Sequence, residues 1–298
     1  MATNGFHPRG VYAASVTPFK PDESLDLDRL GPHVDFMIDA GIKGVMVIGG
    51  CGEYANLTPD ERRAVVTEAV KVVDGRVPVV VGALAPSTRE VIDIGEHAAG
   101  TGAQALLVLP PYYIKPSFDG VLQHFETVVK ETGMDVIAYN IPGRTGTNLL
   151  IEHLREIADI PGIVALKECE RDVAAISLKI AALEDKLPVL SGDDDLGFAT
   201  LLSGARGAIW ASANITPKLC VDLYDACVAG NVSEALRLHN RLNAIFATWM
   251  LPNHPGPLKQ AMTLLGRTAG PARSPLQPMT QHQFANLEAA LKADGAVA

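Results

Sequence analysis

Short, nearly unbroken apolar runs rich in β-branched residues punctuate the chain: GVYAASV from Gly10, VMVI from Val45, VPVVVG from Val77 and ALLVL from Ala105. DVIAYN from Asp135, IVALK from Ile163, PVLSG from Pro188 and GAIWAS from Gly207 follow, so eight buried strands are predicted. Runs without polar alternation suit a parallel sheet covered on both faces. Between them lie amphipathic stretches that carry helix-start signals. Thr58, Pro59 and Glu61 in T-P-D-E supply the N-cap, first position and N3 of a helix whose apolar face runs through Val65, Val66, Ala69, Val70 and Val73. Thr58 and Glu61 there form a capping box. Ser87 with Glu90 starts another helix, and Leu27, Leu30, Val34, Met37 and Ile38 trace one face of the first.

Eight βα units in about 210 residues predict an α/β fold of the (β/α)8 TIM barrel kind over about residues 8–216, although a doubly wound open sheet shares the alternation. The rest, about 217–298, reads as helices only, near 217–229, 232–250, 257–266 and 280–293. No linker or change of composition sets these helices apart, so residues 1–298 are expected to form a single domain, the C-terminal helices packed on the barrel.

Composition narrows the function classes. With 298 residues, 48% hydrophobic and 20% charged, the chain falls among soluble globular proteins rather than disordered or fibrous ones. A formal charge of -9 is the wrong sign for a footprint on nucleic acid or an anionic membrane, so neither partner is expected. Cys51, Cys169, Cys220 and Cys227 lack C-x-x-C spacing and read as thiols in a reducing compartment. MATNGFHPRG has no apolar leader and no run reaches the roughly 18 apolar residues of a membrane span, which makes a cytoplasmic location the expectation. The eight histidines are scattered without ligand spacing, and no metal is expected.

In a parallel barrel the chemistry sits at the C-terminal ends of the strands. That rule selects Thr17, the GGCGE loop with Gly50 and Cys51, Tyr112 and Tyr113, Tyr139 and Asn140, Lys167, Gly192 with Asp193 to Asp195, and Ile209 to Ser212. Lys167 ends the run IVAL, where desolvation favours the neutral amine, a nucleophile able to form a Schiff base with a carbonyl. An ion pair with Glu168 or another carboxylate is the structural alternative. Tyr139 shares a strand face with Ile137 and so faces the barrel interior, as a proton relay or as a buried phenol with a satisfied hydroxyl. Arg144 in IPGRTG offers a guanidinium at the barrel mouth for a substrate carboxylate, with a solvated arginine as the alternative. GGCGE offers backbone N–H groups to an anion, and through Gly50, Gly52 and Ala55 it also imitates a dinucleotide fingerprint, which lacks the expected acidic residue after the next strand. Asp193 to Asp195 fit a turn with helix-start charge, or a cation site.

VTPF from Val16, GGCGE, PPYYIKP, YNIPGRTG, the strand-six lysine, SGDD and NHPGPLKQAM together resemble the dihydrodipicolinate synthase and N-acetylneuraminate lyase family of Schiff-base aldolases over nearly the whole chain. The resemblance implies a (β/α)8 barrel with three further helices, a homotetramer built as a dimer of dimers, and no metal or organic cofactor. It implies that Lys167 forms the imine with pyruvate or a related 2-oxo acid, that Tyr139 is the acid/base, and that Tyr113 reaches into a partner subunit's site. Arg144 then stands at the entrance, and Gly192 and Ile209 line the pyruvate site; Gly50 and Cys51, and Thr17 by its strand-end position, complete the expected substrate-binding set. Where the synthases carry G-T-T-G-E, this chain has Gly50 and Cys51, so the hydroxyl that links two tyrosines is missing. ECERD after Lys167 replaces E-A-T-G-D. Pro59, Arg62 and Pro86 stand where some synthases carry a lysine feedback site, and that regulation is not expected. The expected function is a Schiff-base lyase or synthase of the dihydrodipicolinate synthase kind, joining pyruvate to aspartate semialdehyde. The alternatives are a 2-keto-3-deoxy sugar acid aldolase or dehydratase, a 4-hydroxy-2-oxoglutarate aldolase, a non-catalytic 2-oxo acid binder and, on an open sheet, a nicotinamide-dependent oxidoreductase.

Overall fold

The eight apolar runs form eight parallel strands that close in chain order into a barrel in the computed structural model, which describes residues 5–183 and 186–296. The first four positions of MATNGFHPRG and the last two of the predicted C-terminal span lie outside the described residues. The strands are β1 Gly10–Ala14, β2 Gly44–Val47, β3 Val79–Ala83, β4 Ala105–Val108, β5 Asp135–Asn140, β6 Ile163–Glu168, β7 Val189–Ser191 and β8 Gly207–Trp210. Closure comes from pairing β1 with β8, Tyr12 opposite Ile209, and it removes the doubly wound open sheet and with it the crevice a dinucleotide would need. Gly50, Gly52 and Ala55 lead into a single 3-10 turn, Tyr54–Asn56, rather than opening a helix on a pyrophosphate.

The helices are α1 Leu30–Asp39, α2 Pro59–Val73, α3 Thr88–Thr101, α4 Phe118–Thr132, α5 Pro142–Thr145, α6 Ile151–Ala158, α7 Val173–Leu183, α8 Gly197–Leu202, α9 Pro217–Val228, α10 Val232–Trp249, α11 Gly256–Leu264 and α12 Gln281–Ala293. Their starts follow the side-chain chemistry: Thr58 and Glu61 form the expected capping box on α2, and Ser87 accepts from the Glu90 N–H on α3. Two local expectations are corrected. The first helix begins at Leu30, because Leu27–Arg29 is a tighter 3-10 turn, and IPGRTG, expected as a loop, contains the one-turn α5 that carries Arg144. Among the described residues no helix is long and apolar enough to cross a membrane.

Just past the ends of β1 and β8, buried side chains capture backbone groups of the apolar runs; the Ser15 N–H still reaches the Met46 carbonyl of β2 at 2.8 Å. Beyond β1, the Val16 N–H goes to Asn214 Oδ1 at 3.0 Å. The same oxygen accepts from His33 Nε2 at 2.9 Å, while Asn214 Nδ2 donates to the carbonyls of Ala14 at 2.9 Å and Ala211 at 2.8 Å. Asn214 thus joins the ends of β1 and β8 to α1, at the seam where the barrel closes. Beyond β8, the N–H groups of Ser212 and Ala211 go to the carboxylate of Asp194, at 2.7 and 3.3 Å.

The polypeptide after α9 folds back over the barrel mouth. A buried ion pair fixes it there: Lys259 Nζ on α11 lies 2.6 Å from Glu53 Oε1 in the loop after β2, with both side chains 1% exposed. Lys259 also donates to the Pro271 carbonyl at 2.9 Å and lies over the Phe19 ring.

Asn214→Ala strands two buried donors and two carbonyls at the seam, and a loss of about 2–4 kcal/mol in unfolding free energy is expected by urea denaturation. Burial holds His33 down to about 4, against 6.5 when unfolded. Its contribution is therefore complete above about pH 6.5 and is lost as the pH falls through that window toward 4. The margin in unfolding free energy of the native protein over His33→Gln is expected to narrow between pH 7 and pH 4, which denaturation at both pH values checks.

Candidate active site

Strands β5 and β6 set the centre of the site, because their register places Tyr139 directly opposite Lys167. Both side chains are buried, and Lys167 Nζ lies 4.5 Å from the centroid of the Tyr139 ring, within cation–π reach. Alternation along β6 sends the next residue, Glu168, to the outer face. There it pairs with Lys179 of α7 at 2.9 Å and accepts from Asn140 Nδ2 at 2.8 Å. Glu168 is thus committed elsewhere, and Lys167 forms no ion pair among the described residues, which removes the structural alternative for this lysine.

Cys169, two positions beyond Lys167 on the same face, was not singled out by the sequence beyond being a free thiol. Its Sγ lies 3.8 Å from Tyr139 Oη and serves as the donor to that phenol. Burial raises both groups well above their ordinary values, so thiol and phenol keep their protons at neutral pH. Gly192 closes the space from the strand beyond. A Cβ at residue 192 would lie 2.2 Å from Cys169 Sγ and 2.9 Å from Lys167 Cε, so the close approach requires glycine.

Lys167, Tyr139, Cys169, Gly192, Ile209, Gly50, Cys51 and Arg144 line a cavity of about 130 Å³, well below the roughly 300–1,000 Å³ of sites for drug-sized ligands. An outer chamber of about 310 Å³ adjoins it, with Gly50, Leu84, Leu109, Arg144 and His254 common to both. A larger surface groove, about 640 Å³ beside Gly133 and Met134, lies at the N-terminal end of β5, away from the strand-end chemistry. Arg144 makes no side-chain hydrogen bond among the described residues, which leaves its guanidinium free for an anion at the neck between the chambers. Gly50 has nothing within 4 Å of where a Cβ would stand.

Two residues of the expected set have other positions. Thr17 is buried but does not line the cavity; its hydroxyl donates to the Gly52 carbonyl at 2.7 Å and holds the GGCGE loop. Tyr113 is 92% exposed, with a left-handed backbone at φ 69°, and projects away from this chain's cavity. Tyr112 instead lines the outer chamber, its hydroxyl on the Leu84 carbonyl at 3.0 Å. The three aspartates divide their roles. Asp194 holds the end of β8, its carboxyl pushed up to about 6 by burial, Asp195 accepts from Arg171 at 3.1 Å, and Asp193 lies on the cavity wall. They do not converge as a cation site would require.

His254 is the further cavity residue that strand-end reasoning could not find, because it arrives from the segment between α10 and α11. Its Nε2 lies 3.4 Å from Cys51 Sγ. Burial, with the charge of Arg144, holds the imidazole down to about 4, and burial pushes the Cys51 thiol up to about 12, so the pair is neutral. Such a thiol is not poised as a thiolate. The loop that carries Cys51 leaves β2 through Ile48 at φ 47°, a strained conformation for a β-branched residue of the kind found where a backbone is held for function.

Comparison with known proteins matches residues 7–294 to the model of the Dihydrodipicolinate synthetase family. The chain is 39% identical over 280 residues to a 4-hydroxy-tetrahydrodipicolinate synthase of Methanothrix thermoacetophila, covering 94% of each chain. Its fold is similar, with a TM-score of 0.94 and 33% identity, to a chloride-inhibited dihydrodipicolinate synthase from Acinetobacter baumannii complexed with pyruvate, over 97% of this chain and 99% of that one. A structure described as a monomeric dihydrodipicolinate synthase variant is similar at a TM-score of 0.93 and 33% identity, over 97% of each chain.

Gly192→Ala places a methyl group against Lys167 and Cys169. Overpacking of about 1–3 kcal/mol at that point is expected to cut borohydride trapping of a 2-oxo acid on Lys167 by roughly tenfold or more, with cooperative unfolding retained. Intact-mass measurement after reduction checks it.

Proposed function

The chain belongs to the dihydrodipicolinate synthetase family, and on that premise we propose that it is a Schiff-base-forming synthase that joins pyruvate to aspartate semialdehyde. The observation that carries the reading is the buried Lys167, free of any carboxylate and held in register with Tyr139. The Lys167 amine attacks C2 of pyruvate, the former carbonyl oxygen leaves as water, and an imine remains. Loss of a methyl proton, returned to the group that protonated the departing oxygen, turns the imine into an enamine, whose terminal carbon adds to the aldehyde carbon; attack of the semialdehyde's own amine on the regenerated imine carbon then releases Lys167. Tyr139, whose phenol stays protonated, is placed to hand protons to the departing oxygen and to the new alkoxide. Its partner within the chain is the Cys169 thiol, since Gly50 carries no hydroxyl. Arg144 suits the carboxylate of the second reactant at the neck, and Gly192 and Ile209 leave room for the pyruvate.

The same reading includes a homotetramer, a dimer of dimers in which Tyr113 enters a neighbour's site. The exposure of Tyr113 and of Ile114 beside it supports this assembly. One similar protein is described as a monomeric variant, so assembly is a property to be measured for each chain. Residues 8–216 and 217–298 act in this reading as one domain, since the second part contributes His254 to the cavity of the first. Four free, buried cysteines support work in the reducing cytoplasm. Arg62 lies over the Tyr54 ring and donates to the Tyr54 carbonyl at 3.1 Å, which supports the absence of lysine feedback there.

Borohydride reduction in the presence of pyruvate is expected to leave a mass increment on the peptide containing Lys167, and Lys167→Ala is expected to lose both the increment and turnover with aspartate semialdehyde. Trapping without condensation, joined to cleavage of a 2-keto-3-deoxy sugar acid, would replace the synthase with an aldolase. No trapping at all would overturn the imine chemistry.

A further inference from the structure

Two cross-links join the loop after β2 to the segment before and within α11, and they are close neighbours in both. Glu53 is held by Lys259, and Cys51, two residues earlier, meets His254, five residues earlier. The ion pair therefore fixes the approach of the imidazole to the thiol. Both groups line the cavity that contains Lys167, so a 2-oxo acid bound on Lys167 in the reading above, on which this inference rests, brings its carboxylate into the space that Cys51 borders.

The proton on the imidazole can be assigned from its surroundings. His254 Nδ1 is buried and has no hydrogen-bond partner among the described residues. A buried N–H without an acceptor is rarer and costlier than an acceptor without a donor, so the proton sits on Nε2 and is donated to Cys51 Sγ. The sulfur lone pair is then occupied, and the S–H turns away from the histidine. Thiols are weak and loosely directed donors, and a sulfur gripped from one side loses that freedom.

We propose that His254 is a positioning residue for the 2-oxo acid: its Nε2–H holds Cys51 Sγ so that the thiol S–H points to the carboxylate of the molecule bound on Lys167. A hydroxyl at residue 51 would be a stronger and better directed donor; the thiol of Cys51 has an imidazole 3.4 Å away to hold it.

A double-mutant cycle tests this, with half-saturation by pyruvate read from borohydride trapping on Lys167 and kcat read separately. His254→Phe and Cys51→Ala are each expected to raise half-saturating pyruvate about fivefold, the effect of one modest hydrogen bond, with a smaller change in kcat. The double variant is expected to be no worse than Cys51→Ala alone, and His254→Gln, whose amide nitrogen can still donate to the sulfur, to recover most of the loss. Thermal unfolding establishes that each variant is folded. An undiminished effect of His254→Phe in the Cys51→Ala background, or a His254→Gln variant as impaired as His254→Phe, would overturn the assignment. Absence of trapping on wild-type Lys167 would instead overturn the 2-oxo acid reading beneath it, and the inference with it.

Discussion

The buried pairing of Glu53 with Lys259 is the constraint on which the working end of the molecule depends. Removing two charges from water is costly, and such a pair adds little net stability over a well-packed apolar one. It does impose a single arrangement, because either charge left alone in that interior would be far less favourable. Every remaining acceptor on Glu53 is also used: Oε2 takes the Arg273 N–H at 2.9 Å and Asn56 Nδ2 at 3.2 Å. The loop after β2 and the chain around α11 are therefore one structural unit, though they lie at opposite ends of the sequence. An eight-stranded barrel alone has an open mouth; this clamp gives it a wall.

Inside the barrel a second constraint operates, the two-residue period of a strand. One residue in β6 faces the cavity and the next faces the helices, so adjacent Lys167 and Glu168 live in different environments. Glu168, Lys179, Asn140 and Glu170 form a satisfied network behind the sheet, with Lys179 reaching Glu170 at 2.6 Å. That network anchors β6 from outside while the lysine before it stays uncommitted inside. A salt bridge between sequence neighbours was a reasonable alternative from composition alone, and the pleat excludes it.

Much of this was legible in the sequence. Uninterrupted apolar runs, Thr58 with Glu61, and a lysine at the end of IVAL each carry their signal within a few residues; the strands and caps stand where such signals put them, and Lys167 lines the cavity at the strand ends. The family resemblance added the roles that spacing could not assign. What stayed hidden acts across the chain: Asn214 meets Val16 from 198 positions away, and His254 meets Cys51 from 203. No local pattern marks such a pair, and Cys169 was indistinguishable from an ordinary buried thiol until the register of β5 and β6 was known. Thr17 illustrates the opposite error, since a strand-end hydroxyl satisfied the positional rule while its hydrogen bond belongs to the Gly52 carbonyl.

The vacancy at Gly50 has a consequence for the shape of what enters. Its backbone does not adopt the left-handed conformation that demands glycine, and a Cβ there would touch nothing within 4 Å. The missing side chain is thus a matter of volume rather than of folding. Space occupied by a threonine in chains with G-T-T-G-E is added here to the corridor between the two chambers, where the incoming molecule, not the protein, determines what fills it. Residue 50 is in that sense an adjustable aperture: its width can change by one side chain at a time while the barrel, the clamp and the buried lysine remain as they are.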